Sequence, residues 1–211
     1  MPKVTRSEEE VGVIRGKILD CAFKILVKNG YESLSMAKIG SKMKMTAANL
    51  YNYYSNKDEL LIAIQKKAYA MLYEKLSYAV KMSATPVEKY KNLTYAFVSF
   101  GTQNINIYDI IFNRPIRQYI DNVDTPQESM SRNELRSSRQ VLLLSIQVIR
   151  EYRESRPDLE PVDPKLLHTQ CFSALHGIIL LHNSRVLDQI SDDPDADMKM
   201  VIENTMRYVT G

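Results

Sequence analysis

The sequence contains little of what several classes of protein depend on. Its 211 residues include 7 Gly, 8 Pro, 2 Cys and no Trp. So few glycines disfavour a many-stranded barrel, and they exclude collagen-like and low-complexity proteins. No uncharged apolar run approaches the roughly 18 residues that a membrane span requires, and the N-terminus lacks the apolar core of a signal peptide. We therefore expect a cytoplasmic globular protein that does not cross a membrane.

Patterns for catalysis and metal binding are also missing from the sequence. The histidines His168, His176 and His182 have no acidic residue or second histidine at the helical spacing that a metal site uses. Cys21 and Cys171 lie far apart within helical patterns, which favours reduced core cysteines over a disulfide. No glycine-rich phosphate loop occurs. The sequence therefore predicts a protein that is not an enzyme and that has no catalytic residues, no cofactor and no metal.

The charge of the chain is unevenly distributed. The net charge is only +3, but residues 1–57 carry 10 Lys and Arg against 5 Asp and Glu, and the rest of the chain is nearly neutral. This asymmetry indicates an anionic partner for the N-terminal quarter. An excess of this size also arises by chance, so the motifs have to decide between the two interpretations.

Helical periodicity extends over nearly the whole chain and predicts an all-α protein with about nine helices. Apolar residues recur at helical spacing from about Glu8 to Asn29, and Gly30 follows where a left-handed residue ends a helix. Ser35, Thr46 and the Ser55-Asn56 pair precede the next three helices. Four later starts combine a capping residue with a proline: Thr85-Pro86, Thr125-Pro126, Asp163-Pro164 and Asp193-Pro194.

The lengths of the predicted helices divide the chain into two parts. Short helices fill the N-terminal part and long helices fill the remainder, with no flexible linker between them. We place an approximate boundary near residue 56, where the helices change from short to long, and so predict two domains, residues 1–56 and residues 57–211. Within the first, two short helices separated by a tight Lys44-Met45 turn have the shape of a helix-turn-helix.

The helix that follows Thr46 has an outward face unlike that of an ordinary surface helix. Its inward positions are Leu50 and Tyr54, which are four residues apart. The opposite face carries small and amide residues flanked by phenols, namely Ala48, Asn49, Asn52, Tyr51 and Tyr53. Such a face suits the DNA major groove, because small residues permit close approach, Asn pairs with an adenine edge and Tyr hydroxyls reach phosphates.

This stretch, from Leu34 to Leu61, resembles the DNA-binding domain of TetR-type transcriptional regulators. The shared residues, in register within about residues 12–62, are Gly30-Tyr31, Leu34-Ser35, Ile39, Thr46, Leu50-Tyr51, Tyr54, Lys57-Asp58 and Leu60-Leu61. The resemblance implies a three-helix DNA-binding domain followed by a helical domain that binds a small ligand and forms a homodimer. Together with the outward face, it predicts DNA contacts at Ser35, Lys38, Lys44, Thr46, Ala47, Ala48, Asn49, Tyr51, Asn52, Tyr53 and Lys57.

Three positions depart from the family pattern. Lys44 stands in the turn where a glycine is usual, which predicts either an unfavourable backbone φ or an altered turn. Ala37 and Ala47 stand where an Arg and a Lys are common in relatives. We expect Lys38, Lys42 and Lys44 to supply the missing positive charge.

The C-terminal helices predict how a second chain and a ligand are bound. The segment from Leu166 to Leu187 is apolar almost all round, which favours burial against both its own subunit and a partner. A homodimer through the helices at about 164–187 and 194–209 is therefore expected, and a core helix within a monomer is the alternative. Aromatic and amide side chains on apolar helices predict a ligand site at Phe100, Tyr108, Phe112, Gln147 and His176, although ordinary core positions explain each residue equally well.

Taken together, these patterns predict a repressor that binds a palindromic double-stranded DNA operator as a homodimer and leaves it when a small-molecule effector binds. The first alternative is a helical-bundle ligand carrier or enzyme without DNA binding, which salt-sensitive retention on DNA would exclude. The second is an adaptor that binds a protein through its apolar C-terminal helices, which a monomeric state would favour.

Overall fold

The structure is a computed structural model that describes residues 7–210. No strand occurs in this range, and the predicted all-α fold is confirmed. The ten α-helices are α1 (Glu8–Asn29), α2 (Met36–Met43), α3 (Ala47–Tyr51), α4 (Lys57–Lys81), α5 (Pro86–Gln103), α6 (Ile105–Phe112), α7 (Glu128–Glu154), α8 (Pro164–Asn183), α9 (Leu187–Ile190) and α10 (Pro194–Thr210), with 3₁₀ turns at Tyr31–Ser33 and Tyr119–Asn122.

Side-chain caps define most of the predicted helix starts. Thr85 and Glu88 form the expected capping box at the start of α5, with a proline at the first helical position. Asp163 accepts a hydrogen bond from the backbone N–H of Lys165 at 2.9 Å and so caps α8. These caps satisfy backbone N–H groups that the first helical turn leaves without partners.

Two local predictions differ from the structure. The Thr125-Pro126 pair lies in a turn, and α7 begins only at Glu128, because the Thr125 hydroxyl donates to the carbonyl of Asn122 at 2.7 Å and the chain turns before the helix starts. The four-residue α9 was not predicted, because four residues are too few to show a helical repeat in the sequence. Residues 7–210 therefore form ten α-helices, where about nine were predicted for the chain.

The chain packs as two compact units. The first unit contains the residues up to Tyr69 together with Asn106–Arg136, and the second contains Ala70–Ile105 and the residues from Ser137 onward. These units are a division by packing. The domains of residues 1–56 and 57–211 concern function, and they stay a prediction.

The core of the first unit surrounds the helix-turn-helix. It includes Ile18 and Ile25 from α1, Ile39 from α2, Leu50 from α3 and Leu60 from α4, all completely buried. Burial of these side chains against one another removes apolar surface from water and places α3 on the surface of the unit.

The second unit consists mainly of long helices, with α8 packed against α10 and α5. Its polar interior includes a hydrogen bond from the Tyr90 hydroxyl to Cys171 Sγ at 3.2 Å, and Cys171 in turn lies 3.6 Å from the carbonyl of Thr205. Cys21 and Cys171 are both free, as predicted, but only Cys171 is buried and Cys21 is half-buried. Within residues 7–210, no helix combines the length and the apolar character needed to cross a bilayer.

Candidate nucleic-acid interface

The turn between α2 and α3 places a lysine in a left-handed conformation. Lys44 has φ 54° and ψ 40°, so the first of the two predicted outcomes is correct. Left-handed residues other than glycine are uncommon. The turn is tight on its other side as well, because a Cβ added to Gly40 would lie only 2.6 Å from the carbonyl oxygen of Met45. Gly40 is therefore the glycine that this helix-turn-helix requires.

Helix α3 begins with a side-chain cap and turns its apolar residues inward. The Thr46 hydroxyl accepts a hydrogen bond from the backbone N–H of Asn49 at 3.2 Å. Leu50 is completely buried, and only 3% of Tyr54 is exposed, as their spacing predicted. The inward side thereby determines which residues of this short helix face solvent.

The outward side of α3 carries small and amide residues. Ala48 and Asn52 are exposed, Asn49 is half-buried, and 49% of Tyr51 is exposed. The Asn52 Nδ2 lies 3.5 Å from the Asn49 Oδ1, which places the two amides side by side. No charged side chain belongs to α3 itself, so its outward groups are hydrogen-bonding and apolar. This combination matches the edges of base pairs in a major groove.

Tyr53 lies apart from this face. Only 5% of it is exposed, and its backbone carbonyl accepts a hydrogen bond from Arg15. Helical spacing places Tyr54 on the same predicted helix as Leu50, with Tyr53 on its flank. In the structure α3 ends at Tyr51 and the chain then turns, which brings Tyr53 inward. We therefore leave Tyr53 out of the proposed DNA contacts.

Polar groups surround the face of α3. Ser35 is exposed at the N-cap of α2, where its hydroxyl accepts from the backbone N–H of Lys38 at 3.2 Å. Lys44 is exposed at the turn, and Ala47 and Lys57 are half-buried at the starts of α3 and α4. Four lysines thus lie on or next to the helix-turn-helix, namely Lys38, Lys42, Lys44 and Lys57, where they are available to bind a polyanion.

An ion pair fixes α1 against the start of α4. The Arg15 guanidinium donates to Glu59 Oε1 at 2.8 Å, and its carbon lies 4.4 Å from the centre of the Tyr54 ring. Although burial opposes it, the hydrogen bonds from Arg15 and Ser55 hold the pKa of Glu59 below its usual range. The contacts join residues far apart in sequence, and they hold α4 in place next to α3.

The predicted ligand residues fall in both units. Tyr108 and Phe112 are neighbours in the first unit, with ring centres 4.7 Å apart, and Tyr69 lies edge-on to Phe112 at 6.2 Å. In the same unit Glu134 is buried, and burial raises its pKa to about 7. Burial, together with the charge of Glu134, raises the pKa of Tyr69.

The other three ligand candidates belong to the second unit. Phe100 is buried in α5, and His176 stacks on Phe172 with ring centres 5.5 Å apart. Burial lowers the pKa of His176, which favours the neutral imidazole. Gln147 is exposed on α7 and donates to Glu151 at 2.9 Å. In the part of the chain that the structure covers, no group of three His, Cys, Asp or Glu side chains is placed to hold a metal ion.

Two residues that the sequence prediction did not assign lie beside Lys57. The Lys57 Nζ is 5.0 Å from the centre of the Tyr31 ring, and the guanidinium carbon of Arg114 is 4.8 Å from the same centre. Tyr31 was noticed only as part of a motif. Arg114 carried no signal, because its 83-residue separation from Tyr31 leaves no local pattern.

The helix-turn-helix matches a known family in sequence. Residues 18–64 match the family described as bacterial regulatory proteins, tetR family. A curated relative, the fatty acid metabolism regulator protein of Bacillus subtilis, is 29% identical over 73 residues, which is 35% of this chain and 38% of that protein. The match therefore spans well under half of the relative.

Solved structures share the fold over nearly the whole chain. A Rhodococcus protein of unknown function is 19% identical, with a TM-score of 0.73 over 98% of this chain and 97% of that one. Bacillus subtilis FadR in complex with stearoyl-CoA is 18% identical, with a TM-score of 0.63 over 90% and 97%. AibR, in complex with isovaleryl coenzyme A and operator DNA, is 19% identical, with a TM-score of 0.57 over 91% and 95%.

Proposed function

We propose that this chain, whose residues 18–64 match the tetR family of bacterial regulatory proteins, is a sequence-specific, DNA-binding transcriptional regulator, a repressor released by a small-molecule effector. The observation that carries the proposal is the outward side of α3. Ala48 and Asn49 lie on this uncharged helix, Asn52 follows at its C-cap, and lysines surround it. Asn49 and Asn52 read base edges, and Lys38, Lys44 and Lys57 bind phosphates, with Ser35, Thr46 and Tyr51 as further backbone contacts. Ala47, which has a small side chain, permits close approach of α3 to the DNA.

The operator is bound by a homodimer in this proposal. Helices α8 and α10 pack against each other and still leave large apolar side chains exposed, among them Leu166 at 52%, Met200 at 58% and Tyr208 at 58%. On α8, Gly177 has no atom within 4 Å of the position of an added Cβ, so there is room for a second helix. A two-fold dimer would place its recognition helices at half-sites about one helical turn, roughly 34 Å, apart.

The effector site in this proposal contains aromatic side chains of the first unit. Tyr108 and Phe112, with Glu134 and Tyr69 in the same unit, supply aromatic surface and few polar groups, as a ligand site requires. Phe100, Gln147 and His176 belong to the second unit, where they stay a separate prediction. Two of the related structures hold acyl-coenzyme A molecules, so acyl-CoA thioesters are the first effectors to test. An effector releases DNA only if it binds the DNA-free conformation more tightly.

Selection of genomic fragments on the purified protein, followed by operator titrations at several salt concentrations, tests the DNA-binding proposal. Lys57→Ala should weaken binding to all sequences. It should also lower the salt slope, which is the steepness with which the logarithm of the affinity falls with the logarithm of the salt concentration, by about 1 per half-site contact. Asn49→Ala and Asn52→Ala should each cost about 1–3 kcal/mol at a single base position and relax specificity there.

The control for these titrations is Lys91→Ala, which removes the same charge from an exposed position of α5. It should leave both the affinity and the salt slope close to those of the wild type. If the wild-type protein retains no DNA in a salt-sensitive way, the proposal is wrong and a helical carrier or enzyme becomes the better interpretation.

A further inference from the structure

Tyr31 connects a proposed phosphate-binding lysine to an arginine from a distant part of the chain. The ring of Tyr31 lies in the 3₁₀ turn after Gly30, with Lys57 Nζ 5.0 Å and the Arg114 guanidinium carbon 4.8 Å from its centre. Lys57 is the first residue of α4, and Arg114 comes just after the end of α6. Both distances are within the range in which a cation is attracted to an aromatic ring.

Arg114 is held from both sides. Its Nε donates to Asp109 Oδ2 at 2.6 Å, and its terminal nitrogen donates to Glu32 Oε1 at 2.8 Å. The Asp109 hydrogen bond, together with the charges of Asp109 and Glu32, raises the pKa of Arg114, although burial opposes this rise. The guanidinium therefore stays charged, and the two carboxylates balance its charge, so it repels Lys57 less than an isolated cation would.

The other end of α6 contacts the end of α1 and Gly30, the residue before Tyr31. The Asn106 Nδ2 donates to the carbonyl of Val27 at 2.9 Å, and a Cβ added to Gly30 would lie 3.3 Å from Asn106 Oδ1. The start of α6 thus contacts the last turn of α1 through Asn106. Just beyond the end of α6, Arg114 contacts the 3₁₀ turn that follows α1. A shift or rotation of α6 within this unit would have to move Tyr31 or break one of these contacts.

Lys57 is held without being neutralised. Across residues 7–210, no carboxylate lies within ion-pair distance of its ammonium group. An aromatic ring restricts an ammonium group but accepts no full hydrogen bond from it, so the three N–H donors and the charge stay available for a phosphate. A carboxylate partner at the same place would compete with DNA for the lysine.

We propose that Tyr31 is a positioning residue that presents Lys57 to the DNA backbone, and that Arg114 holds Tyr31 in place. The position of α6 is thereby coupled to one phosphate contact of each half-site. The inference rests on the proposed DNA-binding function and adds to it a specific route, from α6 through Arg114 and Tyr31 to Lys57. Neither Tyr31 nor Arg114 needs to touch DNA.

Operator titrations of the full-length protein as a function of salt test this route. Tyr31→Leu removes the ring and should lower operator affinity by about two- to fivefold, with a salt slope shifted towards that of Lys57→Ala. Tyr31→Phe keeps the ring and should stay close to the wild type. Arg114→Met should weaken binding in the same direction by a smaller factor.

The decisive measurement is whether these losses persist when Lys57 is absent. Combined with Lys57→Ala, neither Tyr31→Leu nor Arg114→Met should reduce affinity further, because both act through that lysine. Arg132→Met is the matched control, since Arg132 likewise pairs with a carboxylate, that of Glu128, and lies 5.8 Å from a ring centre, that of Tyr119. It should leave the salt slope unchanged.

Additive losses in the double variants, or a Tyr31→Leu protein with the wild-type salt slope, would overturn the inference while leaving DNA binding established. An unchanged salt slope in Lys57→Ala would overturn it as well, because Lys57 would then contact no phosphate. Failure of the wild type to bind DNA is a separate result that counts against the proposed function. Melting curves of each variant identify any loss caused by unfolding, and Arg114→Met, at a partly exposed side chain, is the variant least affected by this problem.

Discussion

The two compact units differ in the balance of their long-range contacts, with more charged pairs in the first than in the second. In the first unit, charged side chains far apart in the chain meet in directional pairs, such as Arg15 with Glu59 at 2.8 Å and Arg114 with Glu32 at 2.8 Å. In the second, long helices meet mainly through apolar and aromatic side chains, such as Phe97 and Phe172 at 5.8 Å between ring centres. Among the described residues, Lys89 with Glu151 at 2.8 Å is the long-range ion pair of this unit. Directional contacts specify orientation more strictly than apolar packing does.

This difference corresponds to what we propose each part does. A recognition helix must present its side chains to base edges at fixed positions, and the polar contacts of the first unit hold α3 and α4 in one orientation. The helices α8 and α10 need to offer an apolar surface to a second chain, for which packing of about the right volume is sufficient. Three measurements on stability sharpen or break this contrast.

The largest effect is expected at the close backbone approach in the first unit. Gly40→Ala would place a Cβ 2.6 Å from the Met45 carbonyl oxygen, and backbone cannot yield as a flexible side chain can. We expect a loss of about 3 kcal/mol or more in the free energy of unfolding, measured with urea. Gly16→Ala is the control, since nothing lies within 4 Å of its added Cβ, and it should gain up to about 1 kcal/mol. Equal effects at the two glycines would show that the turn tolerates a side chain.

A pH-dependent effect is expected at Glu134, whose pKa rises from 4.5 to about 7 because it is buried. Between these two values the folded state binds the proton more often than the unfolded state, so stability falls as the pH rises through this range. Glu134→Gln stays neutral and should lack this loss. It should be more stable than the wild type by about 1–3 kcal/mol near pH 8, with the difference shrinking towards about pH 5. A constant difference at all pH values would contradict the assignment.

The smallest effect is expected in the second unit at the buried Tyr90. Its hydroxyl donates to Cys171 Sγ at 3.2 Å, and burial raises its pKa. Tyr90→Phe keeps the ring and the apolar contacts, so urea unfolding should show a loss of only about 1 kcal/mol. Tyr78→Phe, at a residue that is 65% exposed, should change stability by less than about 0.5 kcal/mol. A loss at Tyr90 as large as that at Gly40 would mean that the second unit depends on directional contacts as strongly as the first.

Much of the helix-turn-helix was predictable because its information is local. The caps at Ser35 and Thr46 lie within three residues of the N–H groups that they satisfy. The burial of Leu50 and Tyr54 follows from their spacing on α3 and the turn after it. The family resemblance rests on the same short stretch, which lies within the residues 18–64 that match the family.

The sequence by itself therefore determined the all-α class, most helix starts and the residues that α3 turns outward, since backbone hydrogen bonds and side-chain caps act over a few residues. Only the tertiary structure decided that Tyr53 is buried, that Asn106–Arg136 packs with the N-terminal helices, and that Arg114 meets Tyr31. These outcomes depend on where the chain returns after tens of residues. That path is set by the packing of all the buried side chains together, and no short pattern of residues records it.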